Sequence, residues 1–169
     1  MTKSWKPTEL HVFELDGVLY DSQPPAGAPS SWLLSAHSLA GHGQPGFDTK
    51  WLLEGVVQAR RSILNPSVVT VLLTGRPLHV EMAKAIRTLL RLADLHFDHV
   101  QLKPVSLPVP TPTYKVLSVQ QWLLEYPTIL SITLFDPDPE SVQIVKEAVG
   151  RAGRAFVAPQ VSSSSSPPG

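Results

Sequence analysis

The chain has 169 residues, of which 43% are apolar. That suits one domain with a core large enough to need no disulfide or structural metal. It contains no Cys, which excludes thiol catalysis, Cys-ligated zinc and a disulfide framework. Lys plus Arg and Asp plus Glu are each 14, a balance that argues against a nonspecific polyanion binder while leaving room for a local basic groove. No apolar run reaches the roughly 18 residues of a membrane span. The first ten residues lack the apolar stretch of a signal peptide, so the expectation is a soluble intracellular, by default cytoplasmic, domain.

Residues 10–15 (LHVFEL) read as a buried strand stopped by Asp16-Gly17. A loop rich in Pro and Gly follows, then a short helix over residues 31–39. Asp48 is placed to cap a longer helix, with Leu52, Val56, Ala59 and Ile63 at helical spacing. Residues 68–73 (VVTVLL) form the clearest strand, ended by Thr74-Gly75-Arg76. Pro77 suits the first position of a helix whose inner face is Met82, Ile86, Leu89 and Ala93. Residues 97–103 are a weaker third strand, and residues 104–112, with four Pro, an extended loop. Thr113 can cap a helix to about Tyr126, with Val116, Val119 and Leu123 inward. Residues 129–135 make a fourth strand, followed by a helix carrying Val142, Val145 and Val149 that stops at Gly150 or Gly153. Residues 154–158 are a fifth strand.

This alternation predicts an α/β fold: a three-layer, Rossmann-like, mostly parallel sheet with helices on both faces. Residues 1–9 form a lead-in, residues 10–160 the domain, with residues 20–49 a loop or minimal cap, and residues 161–169 a disordered Ser/Pro tail. In such sheets ligands bind at the carboxyl ends of the strands. The polar residues there are Glu14, Asp16, Thr74, Asp136 and Asp138, with Lys115 near a helix start. Carboxylates, a hydroxyl and a lysine so placed suit a phosphate and a divalent metal.

Four segments carry a resemblance. They are Val12-Phe13-Glu14-Leu15-Asp16-Gly17-Val18-Leu19, Val71-Leu72-Leu73-Thr74-Gly75-Arg76, Lys115, and Phe135-Asp136-Pro137-Asp138. In order and type they resemble the four motifs of the haloacid dehalogenase-like (HAD) phosphohydrolases. The segments LTGR, Phe97-Asp98-His99-Val100-Gln101-Leu102-Lys103-Pro104 and Thr113-Tyr114-Lys115 are similar to the narrower Swiss Army Knife RNA repair-like HAD domains. The resemblance implies a first strand lying centrally, between the second and fourth. It implies a Mg²⁺-dependent phosphohydrolase acting on a phosphorylated substrate, such as an RNA or polynucleotide end. Glu14 would be nucleophile or metal ligand, and Asp16 general acid/base. Thr74, Gly75, Arg76 and Lys115 would bind the phosphoryl group. Mg²⁺ would be held by the Glu14 carboxylate, the backbone carbonyl of Asp16 and a carboxylate of Asp136 or Asp138.

Two departures open a second reading, a HAD-like domain that has lost hydrolysis and binds or scaffolds. Glu14 stands where the family has its nucleophilic Asp. In the fourth motif Pro137, Asp138 and Ser141 fall where the narrower family has Asp, Arg and His. Plainer roles also exist. Asp16-Gly17 serves as a turn, Thr74 as a helix cap, Arg76 and Lys115 as surface charges. His96 and His99 suit surface or strand roles, and Gly41–Gly46, though matching G-x-G-x-x-G, suits a flexible loop. Arg60-Arg61 and the Lys84, Arg87, Arg91 series read as solvated helix faces.

Overall fold

The computed structural model describes residues 5–24, 26–39 and 50–161. Asp48, the Gly41–Gly46 segment and residues 162–169 lie outside the described residues. Five strands, β1 (Glu9–Phe13), β2 (Val68–Leu78), β3 (His99–Pro104), β4 (Ser131–Phe135) and β5 (Ala155–Val157), form one sheet in the order β3-β2-β1-β4-β5. Every pairing is parallel. β1 is central, between β2 and β4.

The layers follow from side-chain alternation along the strands. Leu10 and Val12 of β1, with Val69, Val71 and Leu73 of β2, face one side. There they meet Val119, Trp122 and Leu123 of α3 (Thr111–Glu125) and Val145 and Val149 of α4 (Pro139–Arg151). Phe13 and Leu72 face the other side. They meet Val56 and Ala59 of α1 (Leu53–Leu64) and Met82, Ile86 and Leu89 of α2 (Val80–Leu92). The sheet is thus buried on both faces, as a parallel sheet requires.

Several boundaries differ from those the sequence suggests. β1 stops at Phe13, because the chain turns at Leu15–Tyr20, where the amides of Leu19 and Tyr20 both donate to the Leu15 carbonyl. β2 runs through Pro77, which pairs with Lys103 rather than opening a helix. α2 begins three residues later, and the His79 ring caps it by accepting from the Met82 amide at 3.2 Å. α3 starts at Thr111 with Pro112 in its first turn, so the Pro-rich loop is shorter than its composition suggests. The expected helix over residues 31–39 is two single 3-10 turns, Trp32–Leu34 and Ala36–Leu39. Val161, assigned to the tail from sequence, is half-buried against the α1/α2 core.

Candidate active site

Register builds the site. Phe13 is opposite Phe135, so Glu14 and Asp136 are the next residues along two neighbouring strands. The Glu14 amide donates to the Phe135 carbonyl at 2.9 Å, which keeps the two chains together one step past the strands. Both carboxylates are buried and both reach one ammonium group. Lys115 Nζ lies 2.6 Å from Glu14 Oε2 and 2.5 Å from Asp136 Oδ2. Lys115 comes from the second turn of α3, 3% exposed. Glu14 Oε1 accepts from the Leu15 amide at 3.0 Å, and Asp136 Oδ1 from the Asp138 amide at 2.9 Å.

Burial pushes Glu14 up to about 7; the Lys115 charge opposes this and the charges of Asp16 and Asp136 add to it. Burial works against the Lys115 ammonium, but Glu14 and Asp136 outweigh it and hold that lysine protonated well above its ordinary value.

Asp16 belongs to a second pair. Between Thr74 and Pro77 the β2–β3 register slips, and Gly75 and Arg76 are left without partners. Bulges of this kind re-aim side chains. Arg76 turns inward, 3% exposed, and grips Asp16 with two parallel bonds, Nε to Oδ2 at 3.0 Å and Nη2 to Oδ1 at 2.8 Å. Its remaining nitrogen, Nη1, donates to Ser38 Oγ at 2.7 Å and the Leu33 carbonyl at 3.2 Å. Ser22 Oγ also donates to Asp16. Glu14 and Asp16 therefore both border the cleft but answer to different cations, because strand periodicity ends before either residue.

The cleft has a volume of about 290 Å³ and is lined by Glu14, Asp16, Leu33, Leu34, Gly75, Arg76, Thr111, Lys115, Asp136, Pro137 and Asp138. Of the candidate catalytic, phosphoryl and metal residues, Thr74 alone is absent from this lining. It is fully buried, and its Oγ1 accepts from the Arg76 amide at 3.2 Å rather than capping a helix. Asp138 is the N-cap of α4, accepting from the Ser141 amide at 3.1 Å and the Ser141 hydroxyl at 2.7 Å. Arg76 is a buried clamp on Asp16, not a surface charge. His96 pairs with Asp94 at 2.7 Å and His99 with the Tyr126 hydroxyl at 2.7 Å. Sequence reasoning did not single out Ser22, Ser38 or Thr111. Nothing local marks Ser38 and Thr111, whose neighbours Arg76 and Gly75 are far away in sequence, whereas Ser22 reaches Asp16 within the loop that follows β1.

Among the described residues, no three His, Asp or Glu side chains stand together as a metal-binding group. The donor set that does exist is Glu14 with Asp136, two adjacent carboxylates. That suits Mg²⁺, which takes oxygen ligands, commonly one or two carboxylates with water completing its shell. The side chains of Asp16 and Asp138 are occupied by Arg76 and by α4.

An all-parallel sheet in the order β3-β2-β1-β4-β5, with acidic residues gathered at its carboxyl edge, agrees with the HAD-like fold that the sequence resemblance implies. The profile of HAD domain family 1 in Swiss Army Knife RNA repair proteins matches residues 30–158, and the chain belongs to that family. The matched span begins after Glu14 and Asp16. Among solved structures, the HAD domain of the effector protein Lem4 from Legionella pneumophila is similar, with a TM-score of 0.61 and 15% identity over 92% of this chain and 86% of that one. A chain of the Pnkp1/Rnl/Hen1 complex is similar at a TM-score of 0.58 and 12% identity. That match covers 94% of this chain but 47% of the other, so this chain spans about half its length. These likenesses concern the fold. No curated protein matches the sequence. No helix among the described residues is long and apolar enough to cross a membrane.

Proposed function

We propose that the cleft is a HAD-type phosphohydrolase site for a phosphomonoester, with a phosphorylated RNA end as the first substrate to try. The observation that carries this reading is Lys115, buried between Glu14 and Asp136 at the floor of an open cleft. A buried ion pair is weak evidence of stabilisation, because desolvation offsets most of its attraction. A triad of this kind at a strand edge makes better sense as machinery for a phosphoryl group. Glu14 and Asp136 would hold Mg²⁺, which when bound there supplies positive charge to the phosphoryl oxygens.

The residues divide the work as follows. Lys115 binds the phosphoryl oxygens, with Gly75 and Thr111 lining the cleft beside it. A Glu14 carboxylate oxygen bonds to phosphorus as the bond to the ester oxygen breaks, and Asp16, once it has exchanged one of its bonds to Arg76 for a proton, passes that proton to the oxygen. Asp16 then takes a proton from water, whose oxygen attacks phosphorus, releasing inorganic phosphate and restoring Glu14. Arg76 and Ser22 fix the direction of Asp16.

The second reading, a binding module without turnover, is favoured by Glu14 itself. It is one methylene longer than the family's Asp, and ~1 Å of misplacement can cost on the order of 10²-fold in rate. Phosphate release from oligonucleotides phosphorylated at either end, measured with and without Mg²⁺, decides between them. Slow, Mg²⁺-dependent release is expected, raised about tenfold or more by Glu14→Asp and abolished by Asp16→Asn. If neither wild type nor a folded Glu14→Asp releases phosphate from any ester, the hydrolase reading fails and the binding module stands.

A further inference from the structure

The segment after β5 does not leave the molecule at the edge of the sheet. β5 is an outermost strand, two places from β1, yet Val161, four residues past its end, is half-buried against the α1/α2 core. Two strand spacings are about 10 Å, so residues 158–161 cross the end of β4 toward the centre of the sheet. Pro159, Gln160 and Val161 enclose a small cavity of about 60 Å³ with Gly17 and Val18 of the turn after β1 and Phe135 of β4. The same three residues also wall an open hollow of about 950 Å³. Asp136 and Pro137 line both this hollow and the cleft, so the two adjoin. The chain is thus delivered to the rim of the cleft and anchored there by Val161, and the sequence goes on through Ser162–Gly169.

Three properties fit that continuation to the hollow. Reach is ample, since eight residues extend to at most about 26 Å. Polarity matches. The charged residues of the hollow, Asp21 and Asp136, are both acidic, and Gln23, Gln143 and Gln160 supply amides. Ser162–Ser166 carry five hydroxyls and no charge, so they can donate to carboxylate and amide oxygens without repulsion. Tethering adds to this. A segment held at the rim has a local concentration there on the order of millimolar, so contacts too weak to capture a separate peptide are enough to keep it in place. We propose that Ser162–Gly169 folds back over this hollow and covers the side of the cleft formed by Asp136 and Pro137. The proposal stands apart from the hydrolase reading, because it concerns only what occupies the hollow.

Nuclear magnetic resonance of the full chain tests it without any turnover. Ser22 and Gln143 line the hollow, whereas Gly55 and Gln58 border the small cavity at the tether and not the hollow. Deleting Ser162–Gly169 should shift the amide signals of Ser22 and Gln143 and leave those of Gly55 and Gln58 in place. The chain contains no Cys, so Ser164→Cys offers one thiol for a nitroxide label. In the labelled chain the Gln143 amide should lose most of its intensity, although it belongs to α4 and not to the element at the tether. If the deletion moves only the signals of residues next to Val161, or the label leaves Gln143 at full intensity, the segment is solvated and the inference is overturned. It is equally overturned if Gln143 is broadened only when unlabelled, isotope-enriched chain is mixed with labelled chain, since the occupant would then come from a second copy.

Discussion

Lys115 holds the floor of the cleft together. Its ammonium is the counter-charge for Glu14 and Asp136, both buried at 6% exposure. Lys115→Met keeps the length of the stem but leaves two carboxylates facing each other without a cation. Breaking a buried pair in this way costs about 3–5 kcal/mol. Urea denaturation should therefore show a large loss, and a variant as stable as wild type would mean the pair is solvated. Asp138 makes a different prediction, because it caps a helix. The Ser141 hydroxyl holds its carboxyl below the ordinary aspartate range; burial opposes this, and the amides of Ser141 and Glu140 reinforce it. A lowered folded-state value means stability that is present above the ordinary value of 3.8 and is lost as pH falls through the folded one. Asp138→Ala should cost about 1 kcal/mol at neutral pH. That difference should shrink as the solution is acidified below the ordinary aspartate value. A gap that persisted unchanged in acid would show that the carboxylate is not its source.

Elements meet at two glycines that admit no side chain. A Cβ on Gly55 of α1 would lie 1.8 Å from the Val18 carbonyl oxygen, so the helix rests directly on the turn after β1. A Cβ on Gly75 would lie 2.5 Å from the Thr111 side chain, so the bulge in β2 presses on the start of α3. The first contact is backbone and cannot give. Gly55→Ala should lower stability by about 1–3 kcal/mol, the usual range for overpacking, and shift the Glu14–Asp16 turn with it. Thermal melting checks the first effect; a Gly55→Ala protein as stable as wild type would show that α1 can slide. The same interface carries a partly buried polar chain. His11 of β1 bonds Ser62 Oγ of α1 at 2.7 Å and Glu9 Oε2 at 3.0 Å. Ser62 is buried and none of the hollows described reaches it, so this Ser–His–Glu series joins strand to helix rather than forming a nucleophile.

At the scale of the whole molecule, the acidic edge of the sheet carries its own cations. Glu14 and Asp136 share Lys115, and Asp16 has Arg76, which in turn holds the 3-10 turns through Leu33 and Ser38. A structural metal contributes to folding because its ligands are otherwise left unpaired. Here they are not. Adding EDTA, or Mg²⁺ after it, should leave the melting temperature within ~2 °C, no more than the shift of 2–4 °C that about 1 kcal/mol produces in a domain of this size. A fall of many degrees would make the metal a structural one.

Patterns along the chain were enough for the fold. Apolar, β-branched runs such as Val68–Val71 alternate with helical spacings such as Met82, Ile86 and Leu89, and burial on both faces leaves a parallel sheet as the consistent solution. The same patterns marked Glu14, Asp16, Arg76, Lys115, Asp136 and Asp138 as polar groups at strand ends or helix starts, all of which line one cleft. What each of them bonds was decided only by tertiary structure. The pairing of Glu14 with Asp136 depends on the β1–β4 register, and the turn of Arg76 onto Asp16 depends on a slip between β2 and β3. Thr74 ends an apolar run in the sequence, whereas in the structure β2 continues past it and it is buried. Asp138, placed after the fourth strand by the sequence, caps the helix that starts beside it and accepts amides on both its oxygens. Periodicity records which residues face the core, because burial is a property of one residue and its neighbours in sequence. The partner of a polar side chain is set by chains that approach from elsewhere, and a one-residue change of register would reassign it without altering the pattern.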